Sequence, residues 1–83
     1  MQITLIQFEK IDGLMAHLLR MGDFATCADP RGYISTSNRL FDACVDAMGL
    51  AWVDGFASAL EAAAAIVAGG LLGTVEILDG EAA

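Results

Sequence analysis

The chain has 83 residues, 57% of them hydrophobic, and sets eleven Asp and Glu against four Lys and Arg for a net charge of −7. A chain this short buries one core and forms one domain, 1–83. The acidic balance disfavours direct contact with nucleic acid or anionic lipid, and suits a basic protein surface instead.

The mean hydropathy of +0.61 is high for a chain of this kind, so apolar surface is expected to remain after the core is filled. A homodimer interface, or a groove on another protein, is the usual use of such a surplus. The longest uncharged run, between Glu61 and Glu76, has fourteen residues, against about 20 for a membrane-spanning helix. No basic region precedes the first apolar stretch, as a secretory signal requires. A cytoplasmic protein without a membrane segment is the expectation.

In chain order, Met1, Ile3 and Leu5 alternate with polar or β-branched neighbours and predict a strand that gives way to a helix near Phe8. Thr4 and Gln7 have the spacing of a capping box, which would start that helix at Leu5 instead. Phe8, Ile11, Met15 and Leu18 form its apolar face, Gly13 is tolerated within it, and Gly22 ends it after Met21.

The periodicity lapses from Asp23 to Tyr33, where Asp29-Pro30-Arg31-Gly32 reads as a turn within a connecting loop. Ser35, Thr36, Ser37 and Asn38 are N-cap candidates for a second helix whose apolar face is Leu40, Phe41, Cys44, Val45 and Met48. Gly49 is placed to stop it.

A third helix is expected over some or all of Ala51 to Ala68, with Val53, Phe56, Leu60, Ala63 and Val67 in one stripe. Ser58 and Glu61 form a second capping-box match, which would delay its start to Ala59 and leave Leu50 to Phe56 as a strand. Ala62 to Ala65 give it a smooth surface for close helix approach. Gly69 and Gly70 are expected to end it. Thr74 to Leu78 alternates as a strand able to pair with the N-terminal one, and Gly80 to Ala83 read as frayed. The fold expected is therefore α+β, three helices with a short sheet from the chain ends; an all-helical bundle is the alternative.

Few residues offer chemistry. His17 stands alone beside Leu14 and Leu18, without the partners that a triad or metal site needs. Cys27 and Cys44, seventeen positions apart, lack the paired spacing of a zinc site and read as ordinary thiols, Cys44 on an apolar face. A disulfide between them requires Cα atoms within about 7 Å. The glycines at 69, 70 and 73 follow a helix instead of preceding one, so they make no phosphate loop. Lys10, Arg20, Arg31 and Arg39 are scattered among acids and form no nucleic-acid patch. No catalytic residue, metal site or cofactor is expected.

The partner-binding candidates are charged. Asn38, Asp42 and Asp46 are spaced four apart on one helical face, where the two carboxylates repel at a cost of about 0.2–0.5 kcal/mol. Asp54 and Glu61 share a face if the third helix starts early, and Glu76, Asp79 and Glu81 add charge near the end. Arg31 and Tyr33, flanking Gly32, are residue types enriched at interfaces, and Trp52 is assigned to the core.

These features predict a small non-enzymatic protein-binding module. Its sharper form is an inhibitor that occupies the basic groove of a nucleic-acid-handling complex, with acids standing in for phosphates. In size and charge alone the chain is similar to small acidic phage-encoded anti-CRISPR inhibitors, a comparison that transfers no residue. The alternative is a structural or regulatory subunit of a homo-oligomer, kept soluble by its acids.

Overall fold

The computed structural model describes residues 1–78. It is a small α+β domain of four helices and a two-stranded sheet: β1 (Gln2–Thr4), α1 (Leu5–Met21), α2 (Pro30–Met48), α3 (Leu50–Val53), α4 (Ala59–Leu72) and β2 (Glu76–Leu78). The all-helical alternative is set aside by the sheet.

β1 and β2 pair in parallel, Gln2 with Glu76, Ile3 with Ile77 and Thr4 with Leu78. A parallel pair needs a long crossover, and here all four helices supply it. The Glu76 N–H extends the pairing to the Met1 carbonyl at 2.8 Å. α1, α2 and α4 each pack against the other two. Between them and the sheet lies one core, in which Ile3, Ile11, Leu40, Cys44 and Ile66 are fully enclosed. Among the described residues no helix is long and apolar enough to cross a membrane.

The element boundaries follow the caps. The first helix starts at Leu5, three residues before Phe8, because the Thr4–Gln7 capping box forms. Gln7 N–H donates to Thr4 Oγ1 at 3.1 Å, and Thr4 N–H donates to Gln7 Oε1 at 2.9 Å. The strand is cut to three residues as a result. Gly22 ends α1, as its position predicts, and Arg20 in the last turn complements the helix dipole.

The second helix starts earlier than the Ser35–Asn38 cluster suggests. Asp29 is its N-cap, accepting from Gly32 N–H at 3.1 Å, and Pro30 is its first residue. The predicted turn is thus the first turn of α2, since a type I turn and a helix use nearly the same dihedral angles. Ser35, Thr36, Ser37 and Asn38 lie inside the helix, and Thr36 is buried.

Leu50 to Phe56 is not a strand; Leu50–Val53 forms a single helical turn, α3, followed by a bend. Ser58 caps α4, accepting from Glu61 N–H at 3.2 Å, while the Glu61 carboxylate reaches past the cap to Ala57 N–H at 3.0 Å. The later start at Ala59 therefore holds. At its other end α4 does not stop at Gly69 and Gly70 but runs to Leu72, where Gly73 takes the left-handed conformation with φ 85°. Gly80 to Ala83, read as frayed, lie outside the described residues.

Gly69 and Gly70 serve close packing instead. A Cβ on Gly69 would lie 2.6 Å from Val75 Cγ2, and one on Gly70 2.6 Å from Phe8 Cε1. Bare backbone here lets the chain double back so that Val75 N–H donates to the Gly69 carbonyl at 2.9 Å. Ala62 and Ala63, both fully buried, extend this small-residue contact.

Gly69→Ala is expected to destabilise the domain by about 1–3 kcal/mol through overpacking against buried Val75, in spite of alanine's better helix propensity. Gly13→Ala, where nothing lies within 4 Å of the added carbon, is expected to stabilise it by about 0.5–1 kcal/mol. Urea unfolding of the two variants measures both, and equal effects of the same sign would refute the packing role of Gly69.

Candidate protein-binding face

The outer face of α2 gathers most of the candidate residues. The helix is fixed at both ends, by the Asp29 cap and by Gly49, whose N–H donates to the Val45 carbonyl at 2.8 Å. Its inner face places Thr36, Leu40, Ala43 and Cys44 in the core. Asn38, Asp42 and Asp46 all project outward and are exposed, as their spacing predicts, and Arg31 joins them in the first turn.

The two carboxylates have different surroundings. Asp42 lines an open depression of about 320 Å³ together with Arg39 and Lys10 of α1. Asp46 Oδ2 accepts from Gln7 Nε2 at 3.2 Å. The Gln7 side chain thus joins the start of α1, through its carbonyl on Thr4, to the end of α2 through its amide.

The remaining acidic candidates do not converge with these. Asp54 follows α3 while Glu61 lies in the first turn of α4, so the shared face expected from one continuous helix does not exist. Glu61 is occupied with capping. Glu76 Oε1 accepts from Gln2 Nε2 at 3.1 Å across the sheet. Asp79 and Glu81 lie outside the described residues. Tyr33 turns away from Arg31: it is half-buried against the core, its ring edge-on to Phe24 at 5.9 Å between centroids. Gly32 between them is helical, not part of a loop.

Phe41 departs from its expected role. Spacing groups it with Leu40, Cys44, Val45 and Met48, yet it is 40% exposed, and Ile34, one heptad earlier, is 49% exposed. Together with Arg31, Asn38, Val45 and Met48 they follow alternating steps of three and four residues; of these, Val45 and Met48 are half-buried and also pack against the core. That is the repeat of a helix-pairing seam. The signal is in the sequence, but it emerges only once α2 is known to begin at Pro30.

Charge is unevenly distributed. α1 and α2 each carry two basic and two acidic residues and are neutral; the charge of −7 comes from Asp23, Asp29, Asp54, Glu61, Glu76, Asp79 and Glu81. Within α2 the signs oppose the helix dipole: Arg31 lies in the first turn and Asp46 in the last, with no acid in the first turn or base in the last. Each such placement costs about 0.3–1 kcal/mol in an isolated helix.

The Trp52 and Phe56 rings meet at a tilt of 48° with centroids 4.6 Å apart, and pack against the core. His17 is exposed, and among the described residues no three His, Cys, Asp or Glu side chains gather to hold a metal ion. Cys27 and Cys44 are both free; Cys27 Sγ donates to the Asp29 carbonyl at 3.2 Å, and burial pushes the Cys44 thiol up to about 11. Comparison with protein-family models, curated proteins and solved structures finds no match.

Because the Cys44 thiol ionises more readily in the unfolded chain, near its ordinary value of 9.0, the folded state binds the extra proton above that pH. Its stabilising contribution is complete below pH 9 and is lost as pH rises through about 11. Urea midpoints measured from pH 8 to 11 are expected to fall for the wild type and to fall less for Cys44→Ala. Thiol alkylation at pH 8 should leave Cys44 unmodified until denaturant is added; rapid native modification would contradict its burial.

Proposed function

We propose that this protein is a small acidic, non-enzymatic protein-binding module whose partner-facing surface is the outer face of α2. One observation carries the reading: two large apolar side chains, Ile34 and Phe41, stand 49% and 40% exposed on a well-capped helix. They lie in register with Asn38 and beside Asp42. An apolar strip bordered by polar and charged groups is the usual make-up of a binding surface, with the apolar part supplying affinity and the charges supplying selection. The acids of the rest of the chain supply solubility and repel nucleic acid and anionic lipid.

The inhibitor is a second reading, supported by charge. Residues 40–83 contain seven acids and no Lys or Arg, a one-signed stretch of sequence whose charge suits a basic groove of a nucleic-acid-handling protein. Such a complex would dissociate steeply with salt, as a phosphate ligand does.

The test is affinity capture from a native host lysate with wild-type protein and with the Ile34→Ser/Phe41→Ser double variant. Both positions are exposed, so the circular dichroism spectrum should be unchanged. At least about a tenfold loss of the captured partner is expected if these are the anchors. Undiminished capture would reject the α2 face. Capture that survives the double variant but collapses as salt is raised would favour the electrostatic inhibitor.

A further inference from the structure

We infer that the partner of the α2 face is a second copy of this chain, docked antiparallel along the same helix. The inference rests on the reading of that face as the binding surface, and three features of α2 point to a copy of itself.

The first is the seam. Arg31, Ile34, Asn38, Phe41, Val45 and Met48 follow steps of three and four along the whole helix. With a rise of about 1.5 Å per residue, an antiparallel pair centred between residues 39 and 40 uses every turn of both helices. Ile34 then lies opposite Val45 of the second copy, and Phe41 opposite Asn38. The two Asn38 side chains sit about 4.5 Å apart along the axis, close enough to hydrogen-bond across it. A single Asn among the apolar residues that run from Ile34 to Met48 in the seam is a known device for fixing register and partner number.

The second is charge complementarity. In that alignment Arg31 falls within about 3 Å, along the axis, of Asp46 of the second copy, and Arg39 within about 3 Å of Asp42. A two-fold axis normal to the plane of the helices keeps all four residues on one side of the seam. Each pair occurs twice in an isologous contact. The face is neutral as a whole, so two chains of −7 can meet there without local repulsion.

The third is the reversed dipole. Arg31 and Asp46 are each at the unfavourable end of their own helix. Antiparallel docking puts each beside the favourable end of the other. A parallel pair would instead set Arg31 against Arg31 and Asp46 against Asp46.

A single pair of helices of this length gives an interface at the small end of the specific range, below about 1,200 Å², and a dissociation constant on the order of micromolar to tens of micromolar. The experiment is sedimentation equilibrium from about 1 µM to about 1 mM on wild type, Arg31→Asp, Asp46→Arg, and an equimolar mixture of the two variants. Both substitutions place charge in accord with the helix dipole, which offsets the loss of the Gln7–Asp46 hydrogen bond in Asp46→Arg; thermal unfolding verifies that the monomer fold is retained.

Expected are a wild-type dimer, about tenfold or greater weakening for each variant alone, and recovery of dimer on mixing. Each variant paired with itself sets like charges together at both ends of the seam. In the mixed pair the introduced aspartate meets the introduced arginine at one end, and the native contact between Arg31 and Asp46 is restored at the other. A wild type that stays monomeric at about 1 mM, or a dimer that neither variant weakens, would overturn the inference. The broader reading would fall separately, if capture of a different partner were indifferent to Ile34 and Phe41.

Discussion

Closure of the chain on itself is the constraint on which the other contacts depend. Ile3 and Ile77 are paired neighbours although nearly the whole chain separates them. Joining ends so far apart carries a loop-closure entropy cost that grows only slowly with length. A three-residue strand pair does not offset that alone. It is held by what surrounds it: Ile3 and Val75 are buried in the common core, and Gly69 and Gly70 let β2 and α1 approach α4 without intervening side chains. The sheet and the helices therefore form one cooperative unit. The start of α1 is drawn into it as well, since Thr4 is both the last residue of β1 and the cap of α1.

The same closure fixes α2. With α1, α3 and α4 packed around its inner face, Arg31, Ile34, Asn38 and Phe41 are left exposed on the outside, while Val45 and Met48 are half-buried against the core and Asp46 holds the Gln7 amide. In a chain of 57% hydrophobic residues there is more apolar side chain than one small core can enclose, and part of the remainder is displayed on α2. Leu71 and Leu72, near the end of α4, are more exposed still, at 79% and 80%. They stand outside any repeat that extends along a helix, which is why α2, with its regular spacing and matched charges, is the surface to which we assign function.

Electrostatics divide the molecule into two parts. All four basic residues lie on α1 and α2, each helix being neutral, while the acidic excess lies in the connection between them and after residue 53. Net charge alone therefore misdescribes the surface. The acids at 42 and 46 lie among Lys10, Arg39 and the Gln7 amide; those at 54, 61 and 76 are spread over separate elements. Steering by the whole-molecule field and the recognition proposed for α2 are consequently different effects, the first acting over about a Debye length and the second only on contact.

By itself the sequence determined what depends on neighbours in the chain. Helical periodicity marked most of the inner faces of α1 and α2, and Gly22 and Gly49 marked two stops, because caps and faces are set by residues within one or two turns; Thr4 with Gln7 and Ser58 with Glu61 offered two helix starts, each beside a competing reading that spacing left open. Their spacing also placed Asn38, Asp42 and Asp46 on one face. Tertiary structure decided the rest. Several cap candidates compete before Leu40, and the Asp29–Pro30 start prevails, with Thr36 buried well inside the resulting helix. Gly69 and Gly70 look like a stop but are a contact, since only the return of Val75 and Phe8 shows why no side chain is tolerated there. Whether Phe41 belongs to the core or to the surface, and whether Asp54 and Glu61 share a face, depended on where the other helices lie. Local spacing fixes which side chains point the same way; only packing decides what stands opposite them.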